Sequence, residues 1–448
     1  MYYIRLAVKN YVRKGVMMYK LDILIFENGE RYPILMGEDG MPHLFVTLYV
    51  TTELRTKMAF NTMVNRLKAI LWLFEWEKKH ARCLAEEFEQ AQFLTVEDIL
   101  SLRDHMKLNA IEQKNHDMGK AKLKRRVINL NGPASITTTV ASVSQNHQYN
   151  RITAIAAYLH FLATVTNQLR NNPEVTKDID GMSKALKKHR PKGRGRNVAE
   201  ELDSNYLPDG LLDEFMDVAN LENSLNPFKN SIVKLRNYLV FRLLRETGIR
   251  RGEVLSLEIS YLELHGDNPF IWVRRKHDDR HDPRIYQPVS KTKERKFPIA
   301  KETAQLLDSY IVNERLSTPN SAKHPYLFIT HRKCETQGQP ISYSYFSSDI
   351  ISKMKAVDER FSVIHAHTFR HEWNLDFSRR IDKINSSEEG RNIPPEEEAK
   401  MRKFLMGHSS EKSGDVYNQR HIREKAMEII LAEQIELEDK IKRNLKDE

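Results

Sequence analysis

Cysteine is nearly absent from this chain of 448 residues: only Cys83 and Cys334 occur, with no Cys-x-x-Cys pair and no Cys/His spacing of a zinc module. That argues against a disulfide framework and a cysteine-based metal site, and it fits a reducing, cytoplasmic setting. Long apolar runs are missing too. No stretch approaches the roughly 20 residues a bilayer crossing needs. The start Met1-Tyr2-Tyr3-Ile4-Arg5 lacks the basic-then-apolar pattern of a secretory signal, so a membrane partner is not expected. Internal repeats and long low-complexity tracts are also lacking, which argues against solenoid and fibrous classes.

What is present is an ordinary folded composition, 40% hydrophobic and 9% aromatic. The length exceeds one ordinary core and predicts two or three domains. Lys and Arg number 71 against 61 Asp and Glu, a net charge of +10. A basic surplus on a globular chain favours a polyanionic partner, because phosphate neutralisation releases counterions.

Residues 1–50 read as a β-rich N-terminal segment. A strand over Lys20–Phe26, a turn at Asn28-Gly29 and a strand over Tyr32–Met36 give a hairpin; Leu44–Val50 reads as further strand. From Thr51, with Thr51 or Thr52 as a cap, the pattern turns helical. Met63, Leu67, Ile70, Leu71 and Phe74 share one face, Thr95-Val96-Glu97-Asp98 opens another helix, and Ile152, Ile155, Leu159 and Leu162 form a third stripe. A helical domain over 51–183 follows. Residues 184–204, basic and marked by Pro191, Gly193 and Gly195, read as an extended linker. From 205 to 448 a third region mixes helices with strands expected at Phe270–Val273, Ile285–Val289 and Lys296–Ile299. The fold class is mainly α with a small antiparallel β-sheet.

Five short segments carry chemistry. They are Thr247-Gly248-Ile249-Arg250-Arg251-Gly252-Glu253, Ser290-Lys291-Thr292-Lys293, His367-Thr368-Phe369-Arg370-His371, Gly407-His408-Ser409-Ser410 and Tyr417. A phosphodiester resists cleavage because its nucleophile meets an anion and charge builds on the phosphate oxygens. Fixed guanidinium groups answer both problems, since the planar fork meets two oxygens and stays charged. Arg250 follows a helix end at Gly248, and Glu253 is placed to hold a guanidinium. Arg251 competes for the role, and the bland reading is a helix end with surface charges. His367 and Arg370, three apart, share a helix face, although such a pair occurs by chance in many chains. His365, His367 and His371 also raise metal ligation, but no carboxylate or cysteine accompanies them and Arg370 would repel a cation. Lys291, at a turn between two predicted strands, can protonate a departing 5′ oxygen. Lys293 is the alternative. Tyr417 alone is one of seventeen tyrosines and would ordinarily pack; with a reference pKa of about 10 it needs positioning and a base to act as a nucleophile.

In order and spacing these segments resemble the tyrosine recombinase (phage integrase) family. The resemblance spans residues 205–425 by motif and 51–170 only by helical character. It selects Arg250 over Arg251, because the family's arginine directly follows Gly-x, and it selects Lys291 through the form Ser290-Lys291-Thr292, one of two the family uses, the other being GKGxKxR. It implies a catalytic set of Arg250, Lys291, His367, Arg370, His408 and Tyr417, with Glu253 and His371 behind them. His367 would serve hydrogen bonding and proton transfer at the phosphate, and His408 would donate to a non-bridging oxygen. Tyr417, nine residues beyond His408, would form a 3′-phosphotyrosyl link.

The implied activity is site-specific DNA recombination, integrating or excising a mobile element through a Holliday junction, with no cofactor and no metal. The implied partners are double-stranded DNA, a homo-tetramer on synapsed sites and accessory recombination proteins. The domain over 51–183 becomes a core DNA-binding domain and 205–448 the catalytic domain, clamping the duplex. Lys122, Lys124, Arg125 and Arg126, the linker's Lys187, Lys188, Arg190, Lys192, Arg194 and Arg196, and Lys293 become backbone-phosphate contacts. The rivals are a topoisomerase IB-like or resolvase enzyme using the same residues, and a catalytically silent architectural DNA-binding protein. Two departures stand out: a longer run between Arg370 and His408, around Asn385–Gly390 and Ile393-Pro394-Pro395, and Ser413-Gly414 just before Tyr417. A helix over Ile422–Leu445 would pack on its own domain or on a neighbouring protomer.

Overall fold

A computed structural model describes residues 19–110, 141–168, 170, 172–192, 207–387, 392–407, 421–422, 425–427 and 429–436. His408, Tyr417, Lys122, Lys124, Arg125, Arg126, Arg194 and Arg196 lie outside them. The architecture is mainly α with small antiparallel sheets, as expected. Its described residues form two compact units, one of 19–26 and 31–192, the other of 207–436 together with the hairpin turn 27–30. No helix of the described residues is long and apolar enough to cross a membrane.

The first unit opens with the hairpin β1 (Tyr19–Ile25) and β2 (Arg31–Gly37), registered Leu21↔Leu35. β2 buries Tyr32, Ile34 and Leu35 in the same core as the helices that follow. Leu44–Tyr49, expected as strand, is instead helix α1. His43 caps it, its ring accepting from the Val46 N–H, and Phe45, Val46 and Tyr49 fall on one buried face. Packing has overridden the β preference of the run. A turn of wide π geometry, Val50–Leu54, continues it. Thr51 and Thr52 therefore do not cap; their hydroxyls donate back to the Thr47 and Leu48 carbonyls.

The remaining helices are α2 (Phe60–His80), α3 (Leu84–Glu89), α4 (Val96–Lys107), α5 (Gln145–Asn167) and α6 (Pro173–Lys188). The capping box read at Thr95 and Asp98 is present. Met63, Leu67 and Ile70 of α2 and Ile152, Ile155, Leu159 and Leu162 of α5 are buried, while Leu71 and Phe74 pack at the edge. Each full burial contributes about 1.5–3 kcal/mol. α6 runs to Lys188, so the first five residues of the expected extended linker are helical. Its apolar residues Ile179, Met182 and Leu186 pack into the core and continue the helix past the boundary its basic composition suggested.

The second unit contains α7 (Leu211–Ala219), α8 (Ser231–Thr247), α9 (Arg251–Leu255), β3 (Leu262–Glu263), β4 (Phe270–Val273), β5 (Arg295–Pro298), α10 (Lys301–Ser309), α11 (343–355), α12 (Ala366–Asn385) and α13 (Pro395–Met406). Its three strands pair in the order β3-β4-β5, with Ile271↔Phe297. α8 is buried on most sides and stacks Phe241 on Phe369 of α12, with Phe215 of α7 edge-on to both. Ile285–Val289 is not a strand. Pro283 and Pro288 lack ladder donors. Buried Arg284 ties the segment instead to Asp282 and to the Leu255 and Ile341 carbonyls. Lys291 therefore lies in an irregular loop between β4 and β5. The long run between α12 and α13 is clasped at its base, where the Asn385 amide exchanges hydrogen bonds with the Ile393 backbone.

The first unit also contains a pH-sensitive joint. Trp72 Nε1 donates to the His105 carbonyl at 2.9 Å, and the His105 ring meets the Trp72 carbonyl at the same distance. Burial pushes the pKa of His105 down to about 4 and that of His43 to about 3. Both rings fold neutral, so their stabilisation is present above the unfolded value of about 6.5 and is lost as pH falls toward 3–4, by about 1.4 kcal/mol per pH unit for each histidine. His105→Gln should therefore lose about 2 kcal/mol less than wild type between pH 6.5 and pH 5. Urea titrations at the two pH values measure this; equal losses in both proteins would contradict it.

Candidate active site

The site begins where α8 stops. Gly248 takes the left-handed conformation at φ +61°, and a Cβ there would come within 2.7 Å of the Trp373 ring. Only glycine fits this turn. The chain then re-enters helix at α9 with Arg250 as its extended N-cap, whose backbone N–H donates to Glu253 Oε2 at 2.9 Å. The Arg250 guanidinium stands 3.7 Å from Glu253 Oε1, and its buried Nη1 makes no hydrogen bond among the described residues. Arg251 is engaged elsewhere, donating to Ser347 at 2.7 Å and lying over the Tyr343 ring.

α12 starts at His365, whose ring accepts the Thr368 N–H; that imidazole is a helix cap. Arg370, one turn in, has no exposed surface. Its Nη1 donates to the Gly248 carbonyl at 2.9 Å and its Nη2 to the Met406 carbonyl at 3.1 Å. These oxygens end α8 and α13, where carbonyls lack partners within the helix and the helix dipoles favour a cation. His367 is exposed, though neighbouring groups take part of its hydration away. That desolvation, then the charges of His371, Arg370, Arg250 and His365, lowers its pKa to about 3. Arg250 and Arg370 thus both lie near enough to His367 to act on its charge, with the His371 ring edge-on to His367 at 4.7 Å.

Lys291 enters this arrangement through its neighbours. Ser290 and Thr292 are buried, and both hydroxyls donate to Glu253 Oε1, at 3.3 and 2.5 Å. Lys291 itself is exposed between them; Lys293, just beyond, is exposed too, and its backbone N–H donates to the Gly407 carbonyl at 3.3 Å. Gly407 ends α13 at φ +63°, and a Cβ there would meet Thr292 at 2.8 Å. His408, the next residue, lies outside the described ones, and so does Tyr417.

Arg295 went unnoticed in the sequence. Its ion pair with Glu253, at 2.9 Å, is almost wholly buried. Burial opposes the ionised form of the Glu253 carboxyl, but the Arg295 charge and hydrogen bonds hold its pKa below the usual range. Glu253 therefore serves Arg295, Thr292 and the Arg250 backbone before the Arg250 guanidinium. Lys293-Glu294-Arg295 repeats the ending of the GKGxKxR form, and that was the available signal.

Of the basic residues, Lys187 and Lys188 are exposed in the last turn of α6, and Lys192 is exposed beyond it. Arg190 stacks on Tyr149 at 4.8 Å and donates to its hydroxyl. Among the described residues no group of three His, Cys, Asp or Glu is arranged to hold a metal.

Residues 214–380 match the model of the phage integrase family. Comparison with curated proteins gave no match. Among solved structures, XerA recombinase is similar at 16% identity and a TM-score of 0.32, covering 86% of this chain and 97% of that one. XerH site-specific recombinase bound to difH substrate is 15% identical, TM-score 0.34, over 63% and 82%. The Tn1549 transposon integrase with circular intermediate DNA is 15% identical, TM-score 0.34, over 70% and 94%. Likenesses of that size transfer neither residue roles nor partners.

A phosphate placed among Arg250, His367 and Arg370 would favour the charged imidazole and raise the pKa of His367. NMR titration should find the ring neutral at pH 5 in the free protein, with a pKa near 3, and higher when duplex DNA is bound. A free-protein value near 6.5, or no rise on binding, would contradict this account of the surroundings of His367.

Proposed function

We propose that this chain, whose residues 214–380 are a phage integrase family domain, is a site-specific DNA recombinase of the tyrosine class. One observation carries the reading. Arg250 and Arg370 both lie near a neutral His367, Ser290 and Thr292 on either side of Lys291 are bonded to buried Glu253, and the backbone just before His408 is bonded to Arg370 and to the Lys293 N–H. In this reading Arg250 and Arg370 neutralise the phosphate oxygens as charge builds there. Tyr417 attacks phosphorus, and the neutral imidazole of His367 takes its proton. The P–O5′ bond breaks, Lys291 protonates the 5′ oxygen, and a 3′-phosphotyrosyl link retains the bond energy. His408 donates to a non-bridging oxygen. The freed 5′ hydroxyl of a partner strand then reverses these steps, so neither a nucleotide nor a metal is consumed.

Two sequential exchanges through a Holliday junction on four protomers would integrate or excise a mobile element. Lys187, Lys188, Arg190, Lys192, Arg194 and Arg196, with Lys122, Lys124, Arg125, Arg126 and Lys293, would contact backbone phosphate; their charge gives salt-dependent affinity without sequence choice.

Nicked duplexes from the DNA flanking the gene, incubated in EDTA, test the reading. Wild type should give protein–DNA adducts on a denaturing gel. Tyr417→Phe should retard DNA on a native gel and give none. An adduct surviving in Tyr417→Phe would identify a different nucleophile and overturn the assignment.

A further inference from the structure

Arg295 takes no part in the chemistry just proposed, yet all three nitrogens of its guanidinium are engaged. Nε donates to the Leu405 carbonyl at 2.6 Å, Nη1 to Thr292 Oγ1 at 2.6 Å and the Lys293 carbonyl at 3.2 Å, and Nη2 to Glu253 Oε2 at 2.9 Å. Thr292 Oγ1 donates onward to Glu253 Oε1 at 2.5 Å, closing a ring of three side chains. All three are buried, Glu253 at 1%, Arg295 at 4% and Thr292 at 6% exposure. A buried ion pair is a poor source of stability compared with apolar packing, so stability alone is a weak reason for this one. What it does supply is registry. The residues on both sides of Lys291 are hydrogen-bonded to one carboxylate, and the following carbonyl to the arginine that carboxylate holds.

We propose that the Arg295–Thr292–Glu253 cluster is a positioning device for Lys291. It fixes the backbone of residues 290–293 so that the exposed Lys291 ammonium meets the departing 5′ oxygen. The proposal rests on the recombinase reading and deepens it. In the step concerned, the P–O5′ bond breaks, the electron pair leaves on O5′, and a proton passes from Lys291 Nζ to that oxygen. A displaced lysine leaves attack by the nucleophile intact and slows only the departure. A geometric error of this kind is costly because proton transfer demands hydrogen-bond distance.

Single-turnover cleavage of two substrates separates this role from a general structural one: an ordinary duplex, and the same duplex with sulfur replacing the 5′ bridging oxygen. A thiolate departs without a proton, so that substrate bypasses Lys291. The variants are Lys291→Ala and Thr292→Val. The valine removes one hydroxyl and keeps the ion pair, whereas truncating Arg295 would strand a buried carboxylate. On the ordinary duplex, Lys291→Ala should be slower by about 10²–10⁴-fold and Thr292→Val by roughly 10–10²-fold. On the sulfur duplex both should return to within a few-fold of wild type.

Thr292→Val equally slow on both substrates, with Lys291→Ala rescued, would overturn the positioning role and leave the lysine's role standing. Wild-type rates for Thr292→Val on both would overturn it too. Failure of the sulfur substrate to rescue Lys291→Ala would instead sink the assignment of Lys291 as proton donor. Arg295→Lys, which keeps the charge and loses the planar fork, should follow Thr292→Val.

Discussion

A guanidinium with no access to water joins the ends of two helices, and the site depends on that joint. Arg370 donates to the last carbonyls of α8 and α13, groups that have no partner within their own helices. The dipoles of both helices point their negative ends at it. Because the chain leaves α8 toward Arg250 and leaves α13 toward His408, one buried cation sets where both segments begin. Its positive charge lies close enough to His367 to act on that ring. Desolvation is the main cause of the lowered pKa of His367, and the charges of His371, Arg370 and Arg250 add to it.

Around this joint a second buried arginine performs the same service for the loop between β4 and β5. Arg295 reaches the Leu405 carbonyl near the same end of α13, and through Glu253 it reaches the start of α9. The two arginines thus bind four chain segments to one another with hydrogen bonds to backbone, to the Thr292 hydroxyl and to a single carboxylate. Gly248 and Gly407 are the turns that make such close approach sterically feasible, each with a side chain where a Cβ would go.

The helical stripes, the Thr95 capping box and the glycine end of α8 were legible because a buried face, a cap and a left-handed turn each restrict residue choice at a fixed spacing. The motif residues were legible as candidates because five segments in one order leave little freedom, and the structure brings Arg250, His367 and Arg370 near one another, while His408 and Tyr417 lie outside the described residues. Leu44–Tyr49 was misread because apolar and β-branched residues without a clear period fit strand or helix equally until a core selects one. Ile285–Val289 failed as a strand because a buried Arg284, invisible as such in sequence, secured the segment by side-chain bonds. Arg295 was missed because one arginine in a basic run looks like any surface charge. Its importance comes from burial, which composition does not reveal.

The most direct measurement is the identity of the residue that carries DNA after cleavage. Wild-type protein would be trapped on a nicked duplex in EDTA, digested with protease, and the nucleotide-bearing peptide sequenced by mass spectrometry. The predicted result is a single modified peptide with the 3′ phosphate on Tyr417. A nucleotide on any other residue, or linkage that forms only when a divalent metal is supplied, would contradict the proposed role of Tyr417.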